Sequence, residues 1–148
     1  MEQIAALEVG LPVVDLERML AFYQEVLSFE EVRRADIPAS LSHALTAGND
    51  GYLNVWLKSP YGEIIKLVRP PDPPNLTPPP QALSERTGFG YLTFYCKDIE
   101  LVLAAAESHG ARVRSDRELL DGRVGVKLIF FEDPEGNVIE LVEPPAGA

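Results

Sequence analysis

A chain of 148 residues is the length of one ordinary domain, and 46% hydrophobic with 24% charged residues supplies a core and excludes a disordered polymer. Thirteen Lys and Arg against 23 Asp and Glu leave a net charge of −10, which argues against nucleic acid or anionic lipid as partners. One cysteine, Cys96, and two histidines allow no internal disulfide and no Cys/His zinc site, no apolar run reaches the roughly 20 residues of a membrane span, and the start MEQIAALEVG lacks a secretory pattern, so a cytoplasmic protein is expected.

In chain order, a first strand around Glu8 leads to Asp15, a good N-cap, and Leu16, Met19, Leu20, Tyr23 and Leu27 then recur at helical spacing, predicting a helix from about Asp15 to Leu27. FEEVRR reads as a short strand. After the longer segment ASLSHALTAGNDG come the strand signals YLNVWLK and EIIKLV, joined by the turn SPYG. Seven of the 13 prolines then crowd into PPDPPNLTPPP, from Pro70 to Pro80, which can continue neither a ladder nor a helix and reads as a stiff connector.

Beyond it the pattern returns. Asp98 caps a segment striped by Ile99, Val102, Leu103 and Ala106 with Gly110 as its terminator, ARVRS follows, and VGVKLIFF and NVIELV flank the turn DPEG. Asp15 and Asp98 lie 83 residues apart and Gly62 and Gly136 lie 74 apart, the difference being the longer first-half segment. The prediction is an α+β chain of two tandem βαβββ modules: module 1 over about 3–69, the connector over 70–86 and module 2 over about 87–144.

The strand followed by DLER, then AFYQEVLSFE, together with DPEGNVIELVEP near the end, resembles the vicinal oxygen chelate superfamily of glyoxalases, extradiol dioxygenases and bleomycin-resistance proteins. The resemblance covers nearly the whole chain. It implies two modules whose mixed sheets curl around a shared cavity, where the family's enzymes hold a divalent metal with one residue from the first and one from the last strand of each module. Those positions correspond here to Glu8 and Lys66 in the first half and to Tyr91 and Glu140 in the second; only Glu140 is the ligand expected.

A protonated Lys66 offers no lone pair, Tyr91 must lose a phenolic proton, and His43 and His109 fall outside the expected strands. The expected cofactor is therefore none, with a divalent metal on Glu8 and Glu140 left open. Two acids, an ammonium and a phenol suit metal-free acid/base chemistry of an isomerase, epimerase, cyclase or lyase, with Glu8 or Glu140 as base and Tyr91 and Lys66 stabilising charge on a substrate oxygen. An ion pair of Lys66 with Glu8 or Glu140 is the plain structural alternative. Strand alternation and hairpin register add Trp56, Asn54, Thr93, Tyr95 and Phe130 as substrate-binding candidates, an apolar and aromatic set for a small oxygen-bearing molecule. A non-catalytic sequestering protein and a metal-dependent lyase or dioxygenase remain alternatives. The partner expected is a small molecule, not nucleic acid or membrane, with family resemblance implying a homodimer.

Overall fold

A computed structural model describes residues 2–48, 50–85, 87–115 and 125–145, and the backbone alone over 120–123. Asn49 of the long first-half segment, Arg86 of the connector, Asp116 at the end of the repeat and Val124 at the start of a predicted strand lie outside the described residues. The chain divides within the proline run into two compact units, Met1–Asn75 and Leu76–Ala148.

In the first unit, β1 (Glu8–Pro12) leads into α1 (Leu16–Ala21), which continues as a π-helical turn over Phe22–Val26. Asp15 caps α1 by accepting a hydrogen bond from the Arg18 N–H at 3.1 Å. β2 (Glu30–Ile37), α2 (Ala39–Ala44), β3 (Tyr52–Lys58) and β4 (Ile64–Arg69) complete the unit. The sheet order is β1-β4-β3-β2, with β1 parallel to β4 and the other pairs antiparallel. Val55, Leu57, Ile65 and Leu67 alternate onto the core face, which also buries Met19, Leu20, Phe22 and Tyr23. Tyr23 makes edge contacts with Phe22 and Phe29 at centroid distances of 5.4 and 5.7 Å.

The second unit follows the same path with β5 (Leu92–Tyr95), α3 (Ile99–Ser108), β6 (Arg112–Val113), β7 (Leu120–Arg123), β8 (Val126–Glu132) and β9 (Val138–Glu143). The order is β5-β9-β8-β6, with β7 also paired to β8 and β5 parallel to β9. Asp98 caps α3 through the Leu101 N–H at 3.0 Å, and Gly110 follows the helix in the left-handed region at φ 87°, as its sequence position predicts. Ile129, Phe131, Ile139 and Leu141 bury their side chains with Ile99, Leu103 and Ala106.

Among the described residues three elements exceed the predicted strand–helix–three-strand pattern, α2, β7 and a short 3-10 turn over Leu83–Glu85 in the connector. α2 forms within ASLSHALTAGNDG, where Ala, Leu and Ser run on from Pro38 without a strand-like alternation, and β7 precedes β8 as the far arm of a hairpin closed at Gly125, whose φ is 83°.

The two turns that match in sequence also match in construction. Ser59 Oγ accepts hydrogen bonds from the N–H groups of Tyr61, Gly62 and Glu63, while Asp133 Oδ1 accepts from Glu135 and Asn137 and its Oδ2 from the Asn137 side chain. Gly62 and Gly136 take φ of 103° and 91°. Asp133 is buried, so Asp133→Ala should destabilise the protein by about 1–3 kcal/mol, read by urea unfolding, with Asp133→Asn milder because it keeps an acceptor. Glu143 accepts from the Ile99 N–H at 3.0 Å and from Lys127 Nζ at 2.9 Å, and these donors hold its carboxyl below the usual carboxylate range. A depressed carboxyl stabilises the fold above its ordinary pKa and ceases to do so as pH falls through its folded value. Glu143→Gln should therefore lower the melting temperature at neutral pH, and thermal scans of the two proteins should converge at acid pH.

Candidate functional site

Each sheet has one face packed on its helix and one open face, and strand alternation assigns the predicted residues to the open faces. In the first unit Gly10 lies opposite Lys66 across the β1–β4 ladder, and Lys66 lies opposite Trp56 across β3–β4. Glu8 shares the face of Gly10, two residues away, and its Oε2 meets Lys66 Nζ at 3.1 Å. Both side chains keep contact with solvent, at 41% and 30% exposure. Asn54 lies on the same face of β3 as Trp56, is only 6% exposed, and its Oδ1 has no hydrogen-bond partner among the described residues.

The second unit repeats this register with other side chains. Thr93 lies opposite Glu140 and Glu140 opposite Phe130, as Gly10, Lys66 and Trp56 do in the first unit. Thr93 Oγ1 donates to Glu140 Oε2 at 2.7 Å, and the Tyr91 ring meets the edge of Phe130 at 5.1 Å with the planes at 89°. Tyr91 precedes the first residue of β5 instead of lying within it, and is 48% exposed. Tyr95, on the Thr93 face, is 73% exposed and touches none of the other predicted residues through a described ring contact or hydrogen bond.

Glu8, Lys66, Trp56 and Asn54 thus share the open face of one sheet, and Tyr91, Thr93, Glu140 and Phe130 that of the other. His109 closes α3, its Nδ1 2.9 Å from the Ala105 carbonyl, and His43 lies on α2; neither belongs to these faces. Among the described residues no group of three or more His, Cys, Asp or Glu stands close enough to hold a metal ion. A groove of about 890 Å³ at the other end of the first sheet is lined by Asp15, Glu17, Asp36, Asp50 and Arg69 and holds none of the predicted site residues.

Arg33 is the site residue that sequence reasoning missed. Its Cζ lies 4.6 Å from the centroid of the Trp56 ring. Simple alternation from Glu30, which lies opposite Lys58, aims Val32 at the Trp56 face and Arg33 away from it; a β-bulge between Glu31 and Arg33 shifts the ladder by one residue and reverses that assignment. FEEVRR carries no residue that marks the bulge, so the signal was absent from the sequence.

Comparison with known proteins agrees with this architecture. The sequence profile of the Glyoxalase/Bleomycin resistance protein/Dioxygenase superfamily matches residues 4–141. A lactoylglutathione lyase of Pseudomonas putida is 28% identical over 90% of this chain and 82% of its own length. Among solved structures, a glyoxalase family protein of Bacillus cereus superposes with a TM-score of 0.83 at 20% identity, covering 99% of this chain and 97% of that one. A fosfomycin resistance protein of Listeria monocytogenes, solved with Mn(II) and sulfate, superposes with a TM-score of 0.63 at 16% identity over 98% and 96% of the two chains. With the profile spanning nearly its whole length, and with two α+β units of matching register, the chain belongs to the Glyoxalase/Bleomycin resistance protein/Dioxygenase superfamily.

Proposed function

We propose that this protein binds and transforms a small aromatic or apolar molecule bearing a carbonyl or other polarised oxygen, by acid/base chemistry that uses no metal. The observation that carries the reading is the Glu8–Lys66 pair at 3.1 Å. The positions to which the family resemblance assigns a divalent cation carry an ammonium already neutralised by the adjacent carboxylate in the first unit, and in the second a phenol and a carboxylate that accepts from Thr93. A protonated lysine competes with a cation and donates no lone pair, so this donor set does not fit a divalent metal.

The same groups suit proton transfer. Glu8 accepts a proton from a carbon next to the substrate carbonyl, while the Lys66 ammonium donates a hydrogen bond to the oxygen on which negative charge develops. On the second sheet the Tyr91 hydroxyl is a comparable donor and Glu140, oriented by Thr93, a comparable base. Trp56 and Phe130 supply apolar surface beside these groups. A second reading, sequestration without turnover, draws support from the aromatic contacts around Trp56 and Phe130; it is distinguished by the absence of product on long incubation.

Neither Glu8 nor Lys66 is deeply buried, so their coupling should contribute less than about 1 kcal/mol to stability in a double-mutant cycle of Glu8→Gln and Lys66→Met. Mn(II), Ni(II) and Zn(II) should leave the melting temperature of the native chain unchanged, while Lys66→Glu, which sets a second carboxylate beside Glu8, should gain a rise with Mn(II). Stoichiometric, tightly held metal in protein purified without chelator would overturn the metal-free reading.

A further inference from the structure

Arg33 gives the open face of the first sheet a charge that the acid/base reading does not use. Arg33 lies opposite Trp56 across β2–β3 and Trp56 opposite Lys66 across β3–β4, so one transverse row reads Arg33, Trp56, Lys66, Gly10. An indole stands between two cations. Strand spacing of about 4.8 Å sets the Arg33 and Lys66 backbones about 10 Å apart, and the stack holds the guanidinium over the residue between them. Glu8 neutralises Lys66, whereas Arg33 has no ion pair among the described residues. On a chain of net charge −10, this row and Glu8 together keep one positive charge in excess.

The second unit shows what an arginine committed to the fold looks like at the same ladder position. The Arg114 N–H bonds the Phe130 carbonyl at 3.0 Å, placing it beside Phe130 as Arg33 is beside Trp56. Its guanidinium donates to Glu132 Oε1 at 2.8 Å and to the carbonyls of Pro80 and Gln81 at 2.5 and 2.9 Å, and its side chain is only 12% exposed. Arg33 is exposed and makes no such bonds. A further unfilled group sits two residues along β3 on this same face, the buried Asn54 amide, whose oxygen has no hydrogen-bond partner among the described residues.

We propose that this face recognises a planar aromatic or conjugated monocarboxylate, its carboxylate held between Arg33 and Lys66 and its ring against Trp56. The assignment rests on the small-molecule reading above and adds the ligand's charge and shape. A guanidinium pairs a carboxylate through two parallel N–H donors, and the stack on Trp56 restricts the Arg33 rotamers before the ligand arrives. One excess positive charge suits a monoanion better than a dianion. Arg33 is then a specificity residue, and Trp56 both a contact and the support that positions it.

Trp56 is the single tryptophan of the chain, so its emission reports on this face directly. Benzoate and its neutral isostere benzamide are the probes. Benzoate should change Trp56 emission with an affinity about tenfold or more above that of benzamide. Arg33→Met should remove that preference by weakening benzoate alone, and Arg33→Lys should fall between, both variants melting as the native chain does. Added salt should weaken benzoate and spare benzamide. Equal affinity for the two probes in the native chain would overturn the anion assignment and leave small-molecule binding standing. Benzoate binding unaffected by Arg33→Met would overturn the role of Arg33, and emission unmoved by either probe would overturn this assignment while leaving the acid/base reading to its own tests.

Discussion

The pairing of the first strand of each unit with its last is the constraint on which the rest depends. β1 joins β4 and β5 joins β9 in parallel, a geometry no hairpin can make, so a helix and the remaining strands must lie between them in sequence. Once made, the pairing brings Glu8 within reach of Lys66, 58 residues along the chain, and Thr93 within reach of Glu140, 47 residues along. The turns at Ser59 and Asp133 set the register, because each satisfies its own N–H groups with one side chain and closes on a glycine at positive φ. A slip of one residue would turn Lys66 and Glu140 into the core and expose Leu67 and Leu141.

This dependence explains what could be read from the sequence. The caps at Asp15 and Asp98, the glycine after α3 and the turns SPYG and DPEG are local chemistry, and each appears where its residues require. Because the turns set the register, Lys66–Trp56 and Glu140–Phe130 could be paired by counting from Gly62 and Gly136. The missing pieces had no local signature. α2 is a six-residue helix whose N-cap position, Pro38, makes no side-chain cap hydrogen bond, and Tyr91 falls one residue outside its strand. Arg33 reaches Trp56 only because a bulge, invisible in FEEVRR, breaks the alternation.

The charges on these faces contribute little to holding the fold. Side chains as exposed as Glu8 and Lys66 are screened by solvent, and the buried ion pairing of the second unit lies instead at Glu132, where Arg112 and Arg114 converge. The stability of each unit comes from the apolar rows on the other side of its sheet. The open faces are therefore free to vary at small thermodynamic expense, which is where a binding or catalytic surface can be altered without loss of structure.

The two units show how far that variation has gone. Register position by register position, glycine stands against threonine, lysine against glutamate and tryptophan against phenylalanine, on backbones that pair in the same way. Arginine stands beside the aromatic residue in both, yet Arg114 is tied to Glu132 and the connector carbonyls, whereas among the described residues the side-chain contact of Arg33 is its stack on Trp56. A single scaffold has thus placed an acid on one face and a cationic pair on the other. On an acidic chain, an exposed cation with no carboxylate partner among the described residues adds little to stability beside a half-buried indole, and it leaves guanidinium donors available to an anion.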